Sequence, residues 1–273
     1  MTAQLPRPAM RLVAVALAIS STATATAQSR TSPHEVRTTK FTITDVETSK
    51  AFYELIGLRE VNRFEAAGLV EPFMAFDEEG GRMGLLAFAD PETIEKTSLP
   101  VSVLTVPDLD PVLGRFEAAN QPIREFSGDA TGGVRIAIAR DPSGNAIELV
   151  EQDGPPRVAG ARLIVDDRVA SEEFFVRLFG VEPGRRIQTD TFDEVFFDFG
   201  GGMFVALYEP KDEAQATFPR SEEPVVAIYS TDFDAVRERV KTEGLRLREF
   251  GQGMFLATDP SGNVVEVVRQ AAP

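Results

Sequence analysis

The sequence predicts an α+β protein built from four βαβββ modules in tandem. The first supporting observation is a strand-like stretch followed by an amphipathic helix and further strand-like stretches, an order that occurs four times. The second is the correspondence of SKAFYELIG (49–57) with SEEFFVRLFG (171–180), which match with one insertion. The third is the pentapeptide DPSGN, which precedes an acid flanked by aliphatic residues at 141–145 and again at 259–263.

The first module shows this order most clearly. The alternating segment TTKFTIT (38–44) predicts a strand, and apolar residues at helical spacing in 45–58, closed by Gly57, predict a helix. Three further strands are predicted at 58–64, 71–77 and 82–89.

The other modules repeat the strand and the helix, and DPSGN ends the second and the fourth. Their first strands are predicted at 101–106, 161–165 and 225–230, and their helices at 108–120, 169–180 and 232–244. Since the modules group as two pairs, we predict two domains, at 37–152 and 160–270, joined by a Pro- and Gly-rich linker at 153–159.

The N-terminal residues predict export. Two arginines precede a short apolar run, and small residues follow with an A-x-A pattern at Ala25 and Ala27. Residues 1–27 are therefore predicted to be a signal peptide, residues 28–36 a polar leader, and the mature protein to be periplasmic or secreted. The apolar run is about half the length that spans a bilayer, so no membrane association is expected after cleavage.

Composition argues against nucleic acid and anionic lipid as partners and excludes disulfide bonds. The formal charge is −15, and removal of the signal peptide, with its two arginines and no acids, leaves −17. Such a surface repels nucleic acid and anionic lipid. The chain has no cysteine, so an exported protein of this sequence must be stabilised by packing alone.

These motifs resemble the vicinal-oxygen-chelate superfamily, which includes glyoxalase I, bleomycin- and fosfomycin-resistance proteins and extradiol dioxygenases. The resemblance lies in the strand leading into D-hydrophobic-x-x-S-x-x-F-Y/F with a terminal glycine, and in D-P-x-G-N-x-h-E-h. It implies that two modules form an open, cup-shaped, eight-stranded barrel and that this chain carries two such glyoxalase-like cups. It also implies that enzymes of the family hold a divalent metal at the centre of the cup with His, Glu or Gln side chains.

The positions that the resemblance assigns to metal ligands are mostly unsuited to a metal here. Those on first strands fall on Thr38, Val101, Gly160 and Val225, and those on last strands fall near Leu85 and Val205. Only Glu148 and Glu266 match the family pattern. The only histidine, His34, stands in the predicted leader, where we expect a solvated side chain. We therefore predict no cofactor, and a divalent metal remains an open alternative.

Glu148 and Glu266 need partners if they are half-buried, because a buried carboxylate is costly unless it is paired. An edge-exposed glutamate is the alternative. Lys40 and Arg162 stand two residues along the first strand of each predicted domain, so the sequence predicts a Lys40–Glu148 and an Arg162–Glu266 contact that replace the charge of the missing metal.

The sequence supports two main functional hypotheses and one further alternative. The first hypothesis is a metal-free binder of a small molecule, with Thr38, Lys40, Val101, Arg162, Val225 and Tyr229 as ligand-binding residues. The second is a divergent lyase, isomerase or dioxygenase in which Glu148 or Glu266 is the catalytic base. A third alternative is an inactive scaffold in which one cup packs against the other or against a second chain, as in a homodimer.

Overall fold

A computed structural model describes residues 32–90, 96–128, 131–212, 215, 218 and 220–271. The predicted signal peptide and the first residues of the leader lie outside the described residues. Within them the chain forms two eight-stranded sheets and four helices, which confirms the predicted α+β class of tandem βαβββ modules. No helix in this part of the chain is both long and apolar enough to cross a membrane.

The strands and helices follow the predicted order. The first module contains β1 (His34–Ile43), α1 (Val46–Ile56), β2 (Arg59–Ala66), β3 (Leu69–Ala75) and β4 (Arg82–Phe88). The second contains β5 (Ser102–Val106), α2 (Asp110–Ala118), β6 (Ile123–Phe126), β7 (Ile136–Arg140) and β8 (Ala146–Glu151). The third contains β9 (Arg157–Ile164), α3 (Arg168–Phe179), β10 (Arg186–Gln188), β11 (Phe192–Asp198) and β12 (Phe204–Pro210). The fourth contains β13 (Pro224–Ser230), α4 (Phe233–Thr242), β14 (Leu247–Phe250), β15 (Met254–Thr258) and β16 (Val264–Arg269).

The corresponding helices α1 and α3 have corresponding ends. Asp45 accepts a hydrogen bond from the Thr48 backbone N–H at 2.8 Å at the start of α1, and the Asp167 side chain caps α3 in the same way. Gly57 ends α1 with φ 109°, in the left-handed region where glycine avoids a Cβ clash. The repeated motif therefore encodes the length of the helix.

The sheets combine the modules in an order that differs from the sequence. One sheet has the strand order β14-β15-β16-β13-β1-β4-β3-β2, and the other β10-β11-β12-β9-β5-β8-β7-β6. The first module therefore shares a sheet with the fourth, and the second with the third. The expectation that each cup comes from one half of the sequence is corrected accordingly, whereas the boundaries 37–152 and 160–270 stay a prediction.

The short connection between β8 and β9 explains this arrangement. Residues 152–156 alone separate the two strands, and β9 pairs antiparallel with the free side of β5. The third module is thereby joined to the second, and β1 of the first module pairs antiparallel with β13 of the fourth. Each pairing covers a first strand that would otherwise be an exposed edge.

One apolar core connects the sheets. Its buried side chains come from both sheets and from all four helices, and its aromatic part includes Phe175, Phe179, Phe197 and Phe199. His34 belongs to this region, because β1 begins there and pairs with Ser230 of β13. Its side chain is buried against the Phe179 ring, so the expectation of a solvated leader residue is wrong.

Candidate functional site

The centre of the first sheet holds a buried ion trio. The Lys40 ammonium on β1 lies 2.8 Å from Glu266 Oε2 and 3.0 Å from Glu71 Oε1. All three side chains are buried. Two carboxylates therefore share one cation inside the protein.

This trio shows that the sheet is curved. Glu71 stands on β3 and Glu266 on β16, four strand spacings apart in the order β3-β4-β1-β13-β16. In a flat sheet these strands are about 19 Å apart. Because both side chains reach the same ammonium group, the sheet wraps around Lys40 and forms a cup.

The second sheet holds an equivalent trio. Arg162 on β9 donates from Nε to Glu194 Oε1 at 2.7 Å and from Nη1 to Glu148 Oε2 at 3.2 Å. Glu194 stands on β11 and Glu148 on β8, again four strand spacings apart. The Arg162 guanidinium also lies 5.5 Å from the centre of the Tyr208 ring.

Burial and mutual attraction set the protonation of both trios. Burial lowers the pKa of Lys40, but the charges of Glu266 and Glu71 outweigh it and the net shift is upward. Burial raises the pKa of Glu71, against the opposing effect of Lys40. Burial also raises the pKa of Glu194, against the opposing effect of Arg162. Each trio has two carboxylates around one cation, so the central cation stays charged.

The ion pairs exchange the partners that the sequence predicted. Lys40 contacts Glu266 where Glu148 was expected, and Arg162 contacts Glu148 where Glu266 was expected. The reason is the pairing of modules, because β16 shares a sheet with β1, and β8 shares a sheet with β9. The edge-exposed alternative for the two glutamates is wrong, since both are buried.

The second carboxylate of each trio was missed in the sequence. Glu71 and Glu194 stand on the third strand of their modules, whereas the resemblance assigns ligand positions to first and last strands only. A weak signal existed in LVEPFMA and FDEVFFD, where Glu71 and Glu194 each stand next to apolar residues of a strand. A buried acid in such a strand needs a cationic partner, and here a central strand of the sheet supplies it.

Four of the six predicted ligand-binding residues line one cavity where the two sheets meet. Lys40 and Val225 lie in the first sheet, Arg162 lies in the second, and Val101 directly precedes β5 of the second. The cavity has a volume of about 80 Å³. The remaining two residues contact each other away from it, with Thr38 Oγ1 3.5 Å from the Tyr229 hydroxyl.

Comparison with known proteins identifies the superfamily. A sequence profile of the Glyoxalase/Bleomycin resistance protein/Dioxygenase superfamily matches residues 36–149. These residues belong to that superfamily. The resemblance drawn from the sequence motifs is thereby confirmed.

Solved structures share the fold over most of the chain. Glyoxalase I from Zea mays is 17% identical, with a TM-score of 0.71 over 86% of this chain and 92% of that one. A putative dioxygenase from Bacillus subtilis is 14% identical, with a TM-score of 0.60 over 86% and 84% of the two chains. No curated protein matches the sequence. At these identities the structural likeness concerns the fold alone.

The residues at the cup centres do not fit the metal that superfamily enzymes hold. In the first cup a cation already lies between Glu71 and Glu266, and the β4 residue beside Lys40 is Gly84, which has no ligand atom. In the second cup the β12 residue beside Arg162 is Ala206. Among the described residues, no group of three His, Cys, Asp or Glu side chains is arranged to hold a metal ion.

The other expected ligand positions also lack donors. Leu85 and Val205 lie in the apolar core, so the alignment of last strands slips by one residue relative to the cup-facing Gly84 and Ala206. A side chain at Gly160 would overlap the ring of Phe204.

The two DPSGN turns fasten one sheet to the other. Asn145 Nδ2 in the first turn donates to the Thr42 carbonyl on β1 at 3.1 Å. Asn263 Nδ2 in the second turn donates to the Ile164 carbonyl on β9 at 3.0 Å. In each case the turn leads into a strand of the opposite sheet. The repeated pentapeptide is therefore an inter-sheet clasp.

The aspartate of each turn organises its clasp. Asp141 accepts hydrogen bonds from the Asn145 side chain at 2.8 Å and from the Tyr53 hydroxyl at 3.0 Å. Asp259 accepts from Asn263 at 3.1 Å and from the Ser171 hydroxyl at 3.2 Å. Burial raises the pKa of Asp259 to about 6, although these hydrogen bonds oppose the shift.

Proposed function

We propose that this protein binds a small molecule without a divalent metal at the centre of either cup. The observation that carries the proposal is the Lys40 ammonium between Glu71 and Glu266, repeated by Arg162 between Glu148 and Glu194. A buried cation in hydrogen-bonding contact with both carboxylates supplies the positive charge that a metal supplies elsewhere. A metal ion bound by the same carboxylates would have to displace this cationic side chain.

The cavity between the sheets is the site that we assign to the ligand. It brings together residues from both sheets, including Lys40, Val101, Arg162 and Val225. Small-molecule sites combine apolar walls with a few fixed polar groups, and this lining has both.

The enzymatic alternative is less well supported by the geometry. A general base must reach a substrate proton with a carboxylate oxygen. Glu148 and Glu266 are buried and each accepts a hydrogen bond from a cationic side chain, which competes with that role. Their assignment as catalytic residues stays a prediction.

Metal analysis of protein purified in chelator-free buffer tests the proposal. We expect no stoichiometric Fe, Mn, Ni or Zn, and no rise in melting temperature when any of these metals is added. The Glu148→Gln/Glu266→Gln variant is compared with Glu222→Gln/Glu249→Gln, which removes two carboxylates outside the trios. A stoichiometric metal that is lost only in the buried-site variant would contradict metal-free binding.

We also propose that the protein is exported, on the strength of the signal-peptide pattern in residues 1–27. Mass spectrometry of the protein recovered from the periplasm or medium tests this, with Gln28 as the expected first residue. Recovery of the uncleaved chain in the cytoplasm alone would contradict it.

A further inference from the structure

Two cationic side chains outside the ion trios stand at equivalent places in the inter-sheet cavity. Lys96 and Arg220 each lie five residues before a valine of the lining, Val101 and Val225 respectively. The Lys96 side chain passes beside Gly144 of the first DPSGN turn, and the Arg220 side chain passes beside a glycine of the second. Both DPSGN turns thus border the cavity together with one cation.

The charges that line the cavity are predominantly positive. Four lining side chains are cationic, namely Lys40, Lys96, Arg162 and Arg220, and Glu223 is the one acidic side chain among the described lining residues. Lys40 and Arg162 are each paired with two carboxylates, so the trios add no net positive charge, and Lys96 and Arg220 supply the positive charge of the lining.

Lys96 differs from the cations of the trios. Among the described residues it has no carboxylate within 4 Å, and its ammonium donates a long hydrogen bond of 3.4 Å to the Thr42 carbonyl. Burial lowers its pKa, and the more distant charge of Asp141 opposes this only in part. A half-buried ammonium group whose nearest partner is a carbonyl is a favourable place for an anion.

Arg220 is held in a fixed orientation. Its Nε and Nη2 donate to the Ser261 and Ile164 carbonyls at 3.1 and 3.0 Å, and its guanidinium lies 3.7 Å from the centre of the Phe218 ring. These contacts anchor the planar group beside the second DPSGN turn. A guanidinium held in this way is suited to planar oxyanions.

Two hydroxyl groups complete the polar lining. Thr97 Oγ1 accepts the Leu99 N–H at 3.1 Å, and Ser221 Oγ accepts the Glu223 N–H at 3.0 Å. Since each oxygen is used as an acceptor, each hydroxyl proton can be donated to a ligand. The cavity therefore presents hydrogen-bond donors from equivalent positions on its two sides.

We propose that this cavity binds a small oxyanion, a carboxylate or a phosphate, with Lys96 and Arg220 as its charge partners. The volume of about 80 Å³ suits a group of this size, because one water molecule takes about 30 Å³ in the liquid. The inference rests on the proposed function, since it names the class of molecule that the same cavity holds.

Calorimetric titration of the full mature chain with inorganic phosphate and with acetate tests the inference, with sodium chloride at matched ionic strength as the salt control. We expect saturable binding of one oxyanion and none of chloride. Lys96→Met should weaken this binding at least tenfold, and Lys96→Arg should restore most of it. The control variant Lys241→Met removes one exposed cation of α4 and should bind as the wild type does. The anion that binds more tightly, phosphate or acetate, identifies whether the cavity prefers a phosphate or a carboxylate group.

Two results would overturn the inference: no saturable binding beyond the chloride control, or equal binding by wild type and Lys96→Met. Circular dichroism confirms that each variant is folded, and Lys96→Met alters no buried ion pair. A stoichiometric metal in the purified protein would overturn the metal-free proposal, yet it would leave the Lys96-dependent binding unchanged, so the two failures are distinguishable.

Discussion

The Lys40 ammonium lies 2.8 Å from the Glu266 carboxylate, although the two residues are 226 positions apart in the sequence. This contact joins the first module to the last, and it exists because β1 and β13 pair in one sheet. The two ends of the chain thus build one cup, and the Arg162–Glu148 pair of the middle modules builds the other. Both cups carry a protein cation at their centre.

Removal of the central cation should destabilise the fold strongly. Lys40→Met leaves Glu71 and Glu266 buried together without a partner, and breaking a buried pair costs about 3–5 kcal/mol. We expect a loss of this size in the free energy of unfolding, measured by urea denaturation. The triple variant Lys40→Met/Glu71→Gln/Glu266→Gln should recover most of it, because no unpaired charge remains. A loss below about 1 kcal/mol in the single variant would show that the trio is not coupled.

Gly84 should tolerate no side chain. A Cβ at this position on β4 would overlap Glu71 Oε1 and crowd Lys40 Cγ, so Gly84→Ala must displace the carboxylate from the ammonium group. We expect a destabilisation of about 1–3 kcal/mol in urea denaturation. Gly114→Ala is the matched control, because its Cβ meets nothing within 4 Å on α2 and alanine favours a helix. Equal effects at both positions would rule out the proposed clash.

The modules could be predicted from sequence because their signals are local. A capping aspartate, helical spacing and Gly57 define α1 within a dozen residues, and DPSGN specifies its turn through Pro and Gly. The pairing of modules could not be predicted in this way. The partners of the four first strands are set by connection lengths and long-range pairing that a local pattern does not contain.

The candidate site was predictable in its residue types but not in its contacts. Lys40, Arg162, Glu148 and Glu266 were each marked by a charge in an apolar strand, and each lies in a trio. The correct partners followed from module pairing. His34 was placed in a leader because a polar segment surrounds it, whereas β1 extends back to it through tertiary pairing.

The clasps predict a stability effect that does not depend on the ion trios. Asn145→Ala removes the hydrogen bond to the Thr42 carbonyl and leaves buried Asp141 with fewer donors. Loss of a partner for a buried polar group costs about 1–3 kcal/mol. We expect this loss in thermal or urea unfolding, and a similar one for Asn263→Ala. The exposed Asn62→Ala serves as the control, and an effect no larger than this control would contradict the role of the clasp.

His34 should make the fold less stable in mild acid. Burial and the nearby charge of Arg239 lower its pKa below 6.5, whereas Asp232 and the Phe179 backbone oppose the shift, and its Nδ1 lies 2.9 Å from Ser230 Oγ. Between the two pKa values the unfolded chain binds more protons than the folded one. The contribution of His34 to stability is therefore complete above about pH 6.5 and is lost as the pH falls towards the folded pKa.

Proton NMR measures this shift directly, because His34 is the only histidine of the chain. In tag-free protein its imidazole signals should titrate with a midpoint below 6.5, and in urea-unfolded protein the midpoint should return to about 6.5. Ser230→Ala removes the hydroxyl group that contacts the ring. The midpoint of His34 should change in this variant, which shows that the titration reports the surroundings of the ring. A folded midpoint at or above 6.5 would contradict the predicted loss of stability in mild acid.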